Sequence, residues 1–371
     1  MSHEPSSLWS RFPLKTGHAL LDPLLLAVPV AVALKFTHAP ALPTFIVAAA
    51  GIIPLAAVLG ESTEDLAVHT GPALGGLLNA TLGNATELIL AFLMLRAGQQ
   101  EVVKASLSGS IIGNVLLVLG LSALAGGLGR EKQQFSRQMA SVNSTLLFIA
   151  VVALVMPAVF ALTIYGRLGA ETHRIEHLSL ATAAVLIAIY VASMVFSFVT
   201  NKPHASSVGV APEAERRRVS LNSSLIALAV ATGLVAFLSE ILVSQLEAAK
   251  RAMAVSDLFM GVIVIAIIGN AAEHATAVMM ARRDRMTLAV SIAIGSSTQI
   301  ALFVAPVLVF AGWVMDRPMS LVFTPFEIAG VALAVLIMQM IASDGETTWF
   351  EGAELIAVYL ILAVSFYFVP A

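Results

Sequence analysis

Two short strings of this chain place the same polar side chains in the same order inside apolar stretches. They read GNATE at positions 83–87 and GNAAE at positions 269–273. In each string an asparagine and a glutamate lie three residues apart, so they share one face of a helix. A carboxylate in an apolar stretch is costly and usually functional, and amide and carboxylate oxygens suit hard cations such as Ca²⁺. The strings therefore predict a Ca²⁺ site with Glu87 and Glu273 as its acidic ligands. For either glutamate alone, the alternative is a structural hydrogen bond between helices.

The spacing between these two strings also relates a second pair of strings in the chain. An offset of 186 residues relates them, and the same offset relates GSIIG at 109–113 to GSSTQ at 295–299. A looser match pairs Glu64 with Glu240 at an offset of 176. Two pairs of strings at one offset indicate an internal repeat.

Neutral oxygens near the repeated glutamates extend the candidate cation- and proton-binding site. Besides Glu87 and Glu273 we include Asn84, Asn270, Ser110, Ser296 and Gln299. The alternative for the asparagines is a polar contact between helices, and Gly-Ser pairs also permit close helix packing.

Three further residues are candidates for a proton path or for supporting the ligands. His274 follows Glu273 directly, so it points about 100° away on a helix; it either tunes the carboxylate and relays protons, or is a packed, hydrogen-bonded histidine. Glu64 and Glu240 are candidates because they recur. Glu64 also shares a helical face with Glu61 and Asp65, for which a solvated helix end is the alternative.

The elements that must position these residues are membrane-spanning helices. Of the 371 residues, 58% are hydrophobic and 12% are charged, which is about half the charged content of a soluble domain. Continuous apolar runs of about span length favour helices over barrel strands. The sequence predicts an all-α polytopic membrane protein with about eleven transmembrane helices, at 19–36, 43–66, 72–96, 106–128, 139–165, 178–200, 221–247, 254–281, 287–313, 322–342 and 352–370.

The predicted domains follow from the repeat. Residues 1–42 form an N-terminal segment with the first helix, which we interpret as a retained span and not a cleaved signal peptide. Residues 43–200 and 221–371 form two five-helix repeats, joined by a polar linker at 201–220. Because five is odd, the second repeat is inverted relative to the first, and transporters of this plan bind substrate at the midplane.

Charge sets the expected location and partners. With the N-terminus inside, 12 of the 20 Lys and Arg lie on the inner side, which favours a cytoplasmic N-terminus. The net charge of −3 is too small to say anything about a nucleic-acid partner, and we expect none; the absence of cysteine excludes thiolate metal ligands. We expect no cofactor, a lipid bilayer as surroundings, and a homo-oligomer as one option.

With these residues in view, the chain resembles the Ca²⁺/H⁺ exchangers of the cation/Ca²⁺ exchanger superfamily. The strings that carry the resemblance are GNATELILAF, GSIIGNVLLVLG, GNAAEHATAVMMA, GSSTQIALFVAPVLVF and DGETTWFEGAELIAVYL. The resemblance implies one extra helix plus two inverted five-helix repeats, with Glu87 and Glu273 as the central ligands. It implies a prokaryotic-type member in the inner cell membrane. The linker departs from the family pattern, because it lacks the acidic segment of many relatives.

The expected function is secondary active exchange of Ca²⁺ for H⁺ by alternating access, and not an enzymatic reaction. Ca²⁺ and H⁺ would be the transported substrates. A cation channel and a Na⁺-coupled exchanger are the alternative functions. An intramembrane hydrolase is the weakest, because the chain has no His-Glu-x-x-His string.

Overall fold

The computed structural model describes residues 21–168, 173–200 and 220–370. Nearly all of the described backbone is helical. In a bilayer the backbone N–H and C=O groups cannot bond to water, so they must bond to one another within helices. A short 3₁₀ helix at Asp22–Leu26 precedes the helices numbered here in chain order: α1 Ala27–Phe36, α2 Ala41–Leu82, α3 Ala85–Arg96, α4 Gln100–Ile112, α5 Leu119–Gly127, α6 Arg137–Tyr165, α7 His173–Thr200, α8 Leu221–Met253, α9 Asp257–Phe259, α10 Ala266–Arg282, α11 Met286–Gln299, α12 Ala305–Val314, α13 Pro325–Ala342 and α14 Trp349–Tyr367.

The expected fold class is confirmed, but the expected count of eleven spans is not. Within 21–168, 173–200 and 220–370, nine helical stretches are long and apolar enough to cross a membrane. The chain is thus an integral, multi-pass membrane protein. α1 has 10 residues and α3 has 12, each shorter than the roughly 20 residues that a span needs. Residues 1–20 and nearly all of the linker expected at 201–220 lie outside the described residues.

The predicted boundary between the second and third spans is wrong. Where the sequence suggested a connector at 67–71, α2 continues as one helix of 42 residues. The polar side chains there bond back to their own helix: His69 Nδ1 lies 2.8 Å from the Asp65 carbonyl oxygen, and Thr70 Oγ1 donates to the Leu66 carbonyl oxygen at 3.1 Å. Because their polar atoms are satisfied within the helix, these residues do not end it.

Three helical stretches contain a π-helical segment, in which the backbone is locally widened. These segments are Gly113–Val118 between α4 and α5, Met260–Ile265 between α9 and α10, and Ile300–Val304 between α11 and α12. The first and third begin at or next to residues related by the offset of 186, since Gly113 corresponds to Gln299. Such segments often mark functional sites.

Packing places α3 and α10 inside the bundle. α2 packs along α8, and α1 covers α2. α10 contacts α2, α5 and α11, while α4 packs against the π-helical segment Met260–Ile265. α14 packs against α5, α6 against α11 and α13, and α7 against α12. The two glutamate strings therefore lie between helices of both halves.

Three connectors that the predicted topology puts on one side do meet at one end of the bundle. Strand β1, Gln133–Gln134, pairs antiparallel with β2, Glu346–Thr347. Arg130 forms an ion pair with Asp284 at 3.6 Å, and the backbone N–H of Ser136 donates to Thr287 Oγ1 at 3.1 Å. The connectors after α5, α10 and α13 thus form one surface, here called the paired-loop end.

Candidate cation site

The two repeated strings face each other at the centre of the bundle. α2 ends at Leu82, the chain turns at Gly83 and Asn84, and Glu87 lies in the first turn of α3. In the other half the backbone stays helical through Gly269. Gly269 packs directly against Glu87, because a Cβ on Gly269 would lie 3.0 Å from Glu87 Cγ. The string in one half is therefore in van der Waals contact with the glutamate of the other.

Each repeated asparagine is held by the opposite half. The Asn84 amide donates to Gln299 Oε1, and Ser296 Oγ donates to Asn84 Oδ1 at 3.4 Å. Asn270 Nδ2 donates to Ser110 Oγ at 2.8 Å. All five of these residues are buried. The bonds tie α3 to α11 and α10 to α4, so they fix the neutral oxygens around the glutamates.

The two carboxylates lie in one environment and each has an unsatisfied oxygen. Glu87 and Glu273 are close enough for their charges to interact. Asn270 is a polar neighbour of the Glu87 carboxylate, and Ser296 of the Glu273 carboxylate. Glu87 Oε1 and Glu273 Oε2 are buried without a hydrogen-bond partner in the part of the chain that the structure describes. Buried polar atoms are normally paired, so these two oxygens are available to a cation or to protons.

Both glutamates line a cavity of about 240 Å³. Its polar walls come from α2, the turn before α3, and from α10 and α11; they are Glu61, Glu64, Asn79, Thr86, Glu87, Glu273, Thr276, Ser296 and Gln299. The cavity extends toward the paired-loop end, since its lining also includes Met280 near the end of α10 and Ile292 in the first half of α11.

The oxygen atoms around the cavity suit a hard cation that is bound without very high affinity. Ca²⁺ takes 6–8 oxygen ligands, and its affinity rises with the number of charged ligands. In the described ranges no three His, Asp or Glu side chains form a metal-binding cluster. Two carboxylates with amide and hydroxyl oxygens around them would therefore hold Ca²⁺ less tightly than a multi-carboxylate storage site.

The other predicted site residues differ in whether they line the cavity. Glu64 lines the cavity, whereas Glu240 is exposed on α8 and does not line it. Ser110 reaches the site through its bond from Asn270. His274 turns away from the cavity, and its Nε2 lies 3.2 Å from Asn114 Oδ1.

Sequence analysis missed Asn114. This buried residue donates from Nδ2 to Asn270 Oδ1 at 3.3 Å and to Ser296 Oγ at 3.2 Å, while its Oδ1 faces His274. It follows Ser110 by one helical turn in an otherwise apolar run, which was the available signal. It escaped notice because its counterpart at the offset of 186 is Ile300, so it does not recur.

These features describe a multi-pass membrane protein in which two buried carboxylates line one cavity and form a candidate cation site. A family model described as sodium/calcium exchanger protein matches residues 40–199 and 223–368. The chain therefore belongs to the sodium/calcium exchanger protein family, which confirms the resemblance seen in its sequence.

Named relatives share nearly the whole chain. It is 45% identical to a Ca²⁺/H⁺ antiporter of Aphanothece halophytica, over 94% of this chain and 96% of that protein. It is 42% identical to the Ca²⁺/H⁺ antiporter ChaA of Bacillus subtilis, over 92% of this chain and 96% of the relative.

Solved structures agree with this assignment. The structure of native YfkE superposes with a TM-score of 0.82 at 40% identity, covering 94% of this chain and 100% of that one. An H⁺/Ca²⁺ exchanger, CAX, gives a TM-score of 0.69 at 15% identity, covering 94% and 91%; at that identity the likeness shows the fold alone.

Proposed function

We propose that this protein is a secondary active antiporter that exchanges Ca²⁺ for H⁺ across a membrane. The observation that carries the proposal is the pair Glu87 and Glu273: repeated glutamates from two halves that share one cavity and each hold an unpartnered buried oxygen. The names of the relatives, which are antiporters at 42% and 45% identity and not enzymes, support the choice of ions.

Charge balance explains how one site performs exchange. Two ionised carboxylates in a low-dielectric site are costly unless something neutralises them. One Ca²⁺ neutralises both, and two protons do the same, so Ca²⁺ binding expels protons and protonation expels Ca²⁺. Both loaded states are formally neutral, whereas the empty site carries two negative charges. Only the loaded states can change the side to which the site is open at low cost. This restriction couples the two fluxes.

Access from one side at a time completes the proposal. The cavity at the glutamates extends toward the paired-loop end, while the cavity on the other side of Glu87 measures about 10 Å³. With the N-terminus cytoplasmic, as the Lys and Arg distribution predicts, the open side faces the cytoplasm. Residues 43–200 and 221–371 are then the two inverted halves that enclose a midplane site, with Asn84, Asn270, Ser110, Ser296 and Gln299 around the ion. On this view Glu64 lies on the water-accessible side of the site. His274 supports the ligands through Asn114.

The decisive test is Ca²⁺ flux in proteoliposomes of the purified protein under an imposed pH gradient, with and without Na⁺. We expect Ca²⁺ uptake that needs the pH gradient and does not need Na⁺, together with counterflow of protons reported by a trapped pH dye. Ca²⁺ flux that needs a Na⁺ gradient would establish a Na⁺-coupled exchanger. Passive Ca²⁺ flux without proton movement would establish a channel, and either result overturns the proposal.

A further inference from the structure

Two helices that pack together each carry one charged side chain in a long apolar stretch. Lys35 is the sole Lys, Arg, Asp or Glu from position 23 to position 60, and Glu240 is the sole one from 219 to 246. Lys35 lies in the last turn of α1, and Glu240 lies in the second half of α8. Charged residues in membrane helices are rare and usually pair with one another. Each of the two is therefore expected to have a partner of opposite charge nearby.

Close packing joins α1 and α8 at one point of α2. A Cβ on Gly51 of α2 would lie 2.8 Å from Leu238 Cδ1 of α8 and 3.4 Å from the backbone nitrogen of Val28 of α1. The absence of a side chain at Gly51 thus lets the three helices meet there. α1 is therefore fixed against the part of α8 that precedes Glu240 directly.

This contact brings the two charges to the same turn of α8. The Lys35 ammonium lies over the ring of Phe237, 5.2 Å from its centre, which is within the range of a cation–π contact. Phe237 and Glu240 are three residues apart and share one face of the helix. A helical side chain leans toward the N-terminus of its helix, so the Glu240 carboxylate covers the turn that holds Phe237. The ammonium of Lys35 lies beside that same turn.

The charges near α8 leave Lys35 and Glu240 to each other. Neither of them forms an ion pair or a side-chain hydrogen bond with another residue of the described ranges. Glu247, two turns beyond Glu240, is paired with Lys250 at 2.7 Å. Among α1, α2 and α3, which pack against α8, α2 contains no Lys or Arg, and α3 contains Arg96 alone, exposed in its last turn. Lys35 is the cation that the packing places beside the turn next to Glu240.

We infer that Lys35 is the countercharge of Glu240, and that this pair holds α1 against α8 within the membrane. A change in the side-chain torsions of Lys35 carries its ammonium from the Phe237 ring to the carboxylate. The pair also accounts for a difference between the two halves. Glu64 presents its carboxylate to the cavity, whereas the charge of its counterpart Glu240 is compensated by the helix that precedes the repeats. The inference goes beyond the proposed function and does not depend on it.

A double-mutant cycle tests the pair. Lys35→Met and Glu240→Gln are made singly and together in the whole chain, and the midpoint of thermal unfolding is measured in nanodiscs of phosphatidylcholine, whose headgroups carry no net charge. Each single substitution leaves one charge without its partner, so we expect each midpoint to fall by about 2–4 °C. The double variant leaves neither charge, so its midpoint should return most of the way to that of the parent. Lys35→Arg keeps the charge and should stay near the parent.

Two matched controls use the other charges beside α8. Glu247→Gln should not restore K35M, and Arg96→Gln should not restore E240Q. Rescue by either control, additive losses in the K35M/E240Q variant, or single variants that match the parent would each overturn the inference. Should K35M fail to fold alone, recovery of folded protein in the double variant is the expected result, and failure of both overturns the pair. No ion flux is measured, so this result stands whether or not the protein exchanges Ca²⁺ for H⁺.

Discussion

Two groups of buried carboxylates lie in the same bundle, and their oxygens are satisfied to different degrees. Glu327, near the start of α13, is 2% exposed. Its Oε2 accepts from the Thr324 backbone N–H at 2.8 Å, and its Oε1 accepts from Ser108 Oγ at 2.9 Å. The Lys104 ammonium also acts on its charge. Glu327 is therefore fully engaged as the reciprocal partner in the N-terminal cap of α13.

Glu87 and Glu273 are the opposite case. Each keeps one buried oxygen with no hydrogen-bond partner within the described chain, and both line the cavity of about 240 Å³. Burial of a carboxylate in a membrane protein thus does not by itself mark a transport site. A satisfied carboxylate fixes helices, whereas an unsatisfied pair that faces a cavity is available to bind and release an ion. The predictions below test this difference.

Removing one charge from the unsatisfied pair should have the largest effect. Glu87→Gln or Glu273→Gln keeps shape and size but leaves one carboxylate, so Ca²⁺ is no longer neutralised and two protons can no longer bind in its place. We expect pH-driven Ca²⁺ uptake in proteoliposomes to fall to background, while the protein still elutes as a folded species in size-exclusion chromatography. Normal uptake by either variant would remove the two-glutamate site from the proposal.

Loosening the neutral shell of that pair should have an intermediate effect. Asn114→Ala removes the donor to Asn270 and Ser296, which orients oxygens beside the glutamates. Loss of such supporting bonds typically weakens metal affinity 10–100-fold, so we expect the Ca²⁺ concentration for half-maximal uptake to rise at least about tenfold.

Asn143→Ala is the matched control for that experiment. Asn143 is also a buried asparagine, and its side chain donates to Met139 Sδ on its own helix. We expect its Ca²⁺ dependence to stay near that of the parent. Equal weakening by both substitutions would show that Asn114 acts through general packing alone.

Altering the satisfied carboxylate should affect stability and leave exchange largely intact. Glu327→Ala removes the acceptor for the Thr324 N–H and the Ser108 hydroxyl, and losing such a cap costs about 0.5–2 kcal/mol. Glu327→Gln keeps an acceptor and should cost less. We expect a lower midpoint of thermal unfolding for the alanine variant, with Ca²⁺/H⁺ exchange retained in both. Loss of exchange in a folded Glu327→Gln variant would mean that this carboxylate also titrates during transport.

The sequence was most informative where a costly residue recurred. Glu87 and Glu273 were identifiable because a carboxylate in an apolar run needs a reason, and the common offset of 186 supplied a geometric one. The same logic missed Asn114, because its counterpart is Ile300. A residue that occurs in one half alone cannot be found by comparing the two repeats. The contacts of Asn114 depend on which helices meet, and spacing along the chain does not encode that.

The fold class followed from composition, but one boundary did not. The polar residues near His69 read as a connector, yet their side chains bond to the preceding helical turn and α2 continues to Leu82. The offset of 176 pairs Glu64 with Glu240 in the sequence, but it does not indicate that Glu64 lines the cavity and Glu240 does not. In an inverted repeat, one conformation presents equivalent residues to different surroundings.

An exposed ion pair extends the comparison to a carboxylate outside the bundle interior. At the paired-loop end, Lys132 forms an ion pair with Glu346 at 2.7 Å. The hydrogen bond to Glu346, followed by its charge, raises the pKa of Lys132 above its usual 10.5. Because this pKa is raised, the stabilisation linked to the Lys132 charge is present below pH 10.5 and is lost as the pH rises through the raised value. It therefore cannot contribute to a pH dependence of exchange near neutrality.

Lys132→Met tests this smallest effect. Exposed ion pairs contribute little to stability, and β1 and β2 also hold the loops together through backbone pairing. We expect the rate and the pH profile of Ca²⁺ uptake between pH 6 and 8 to match those of the parent within about twofold. A shifted profile in this variant would mean that the paired-loop end senses protons, so that pH dependence could no longer be assigned to the buried glutamates alone.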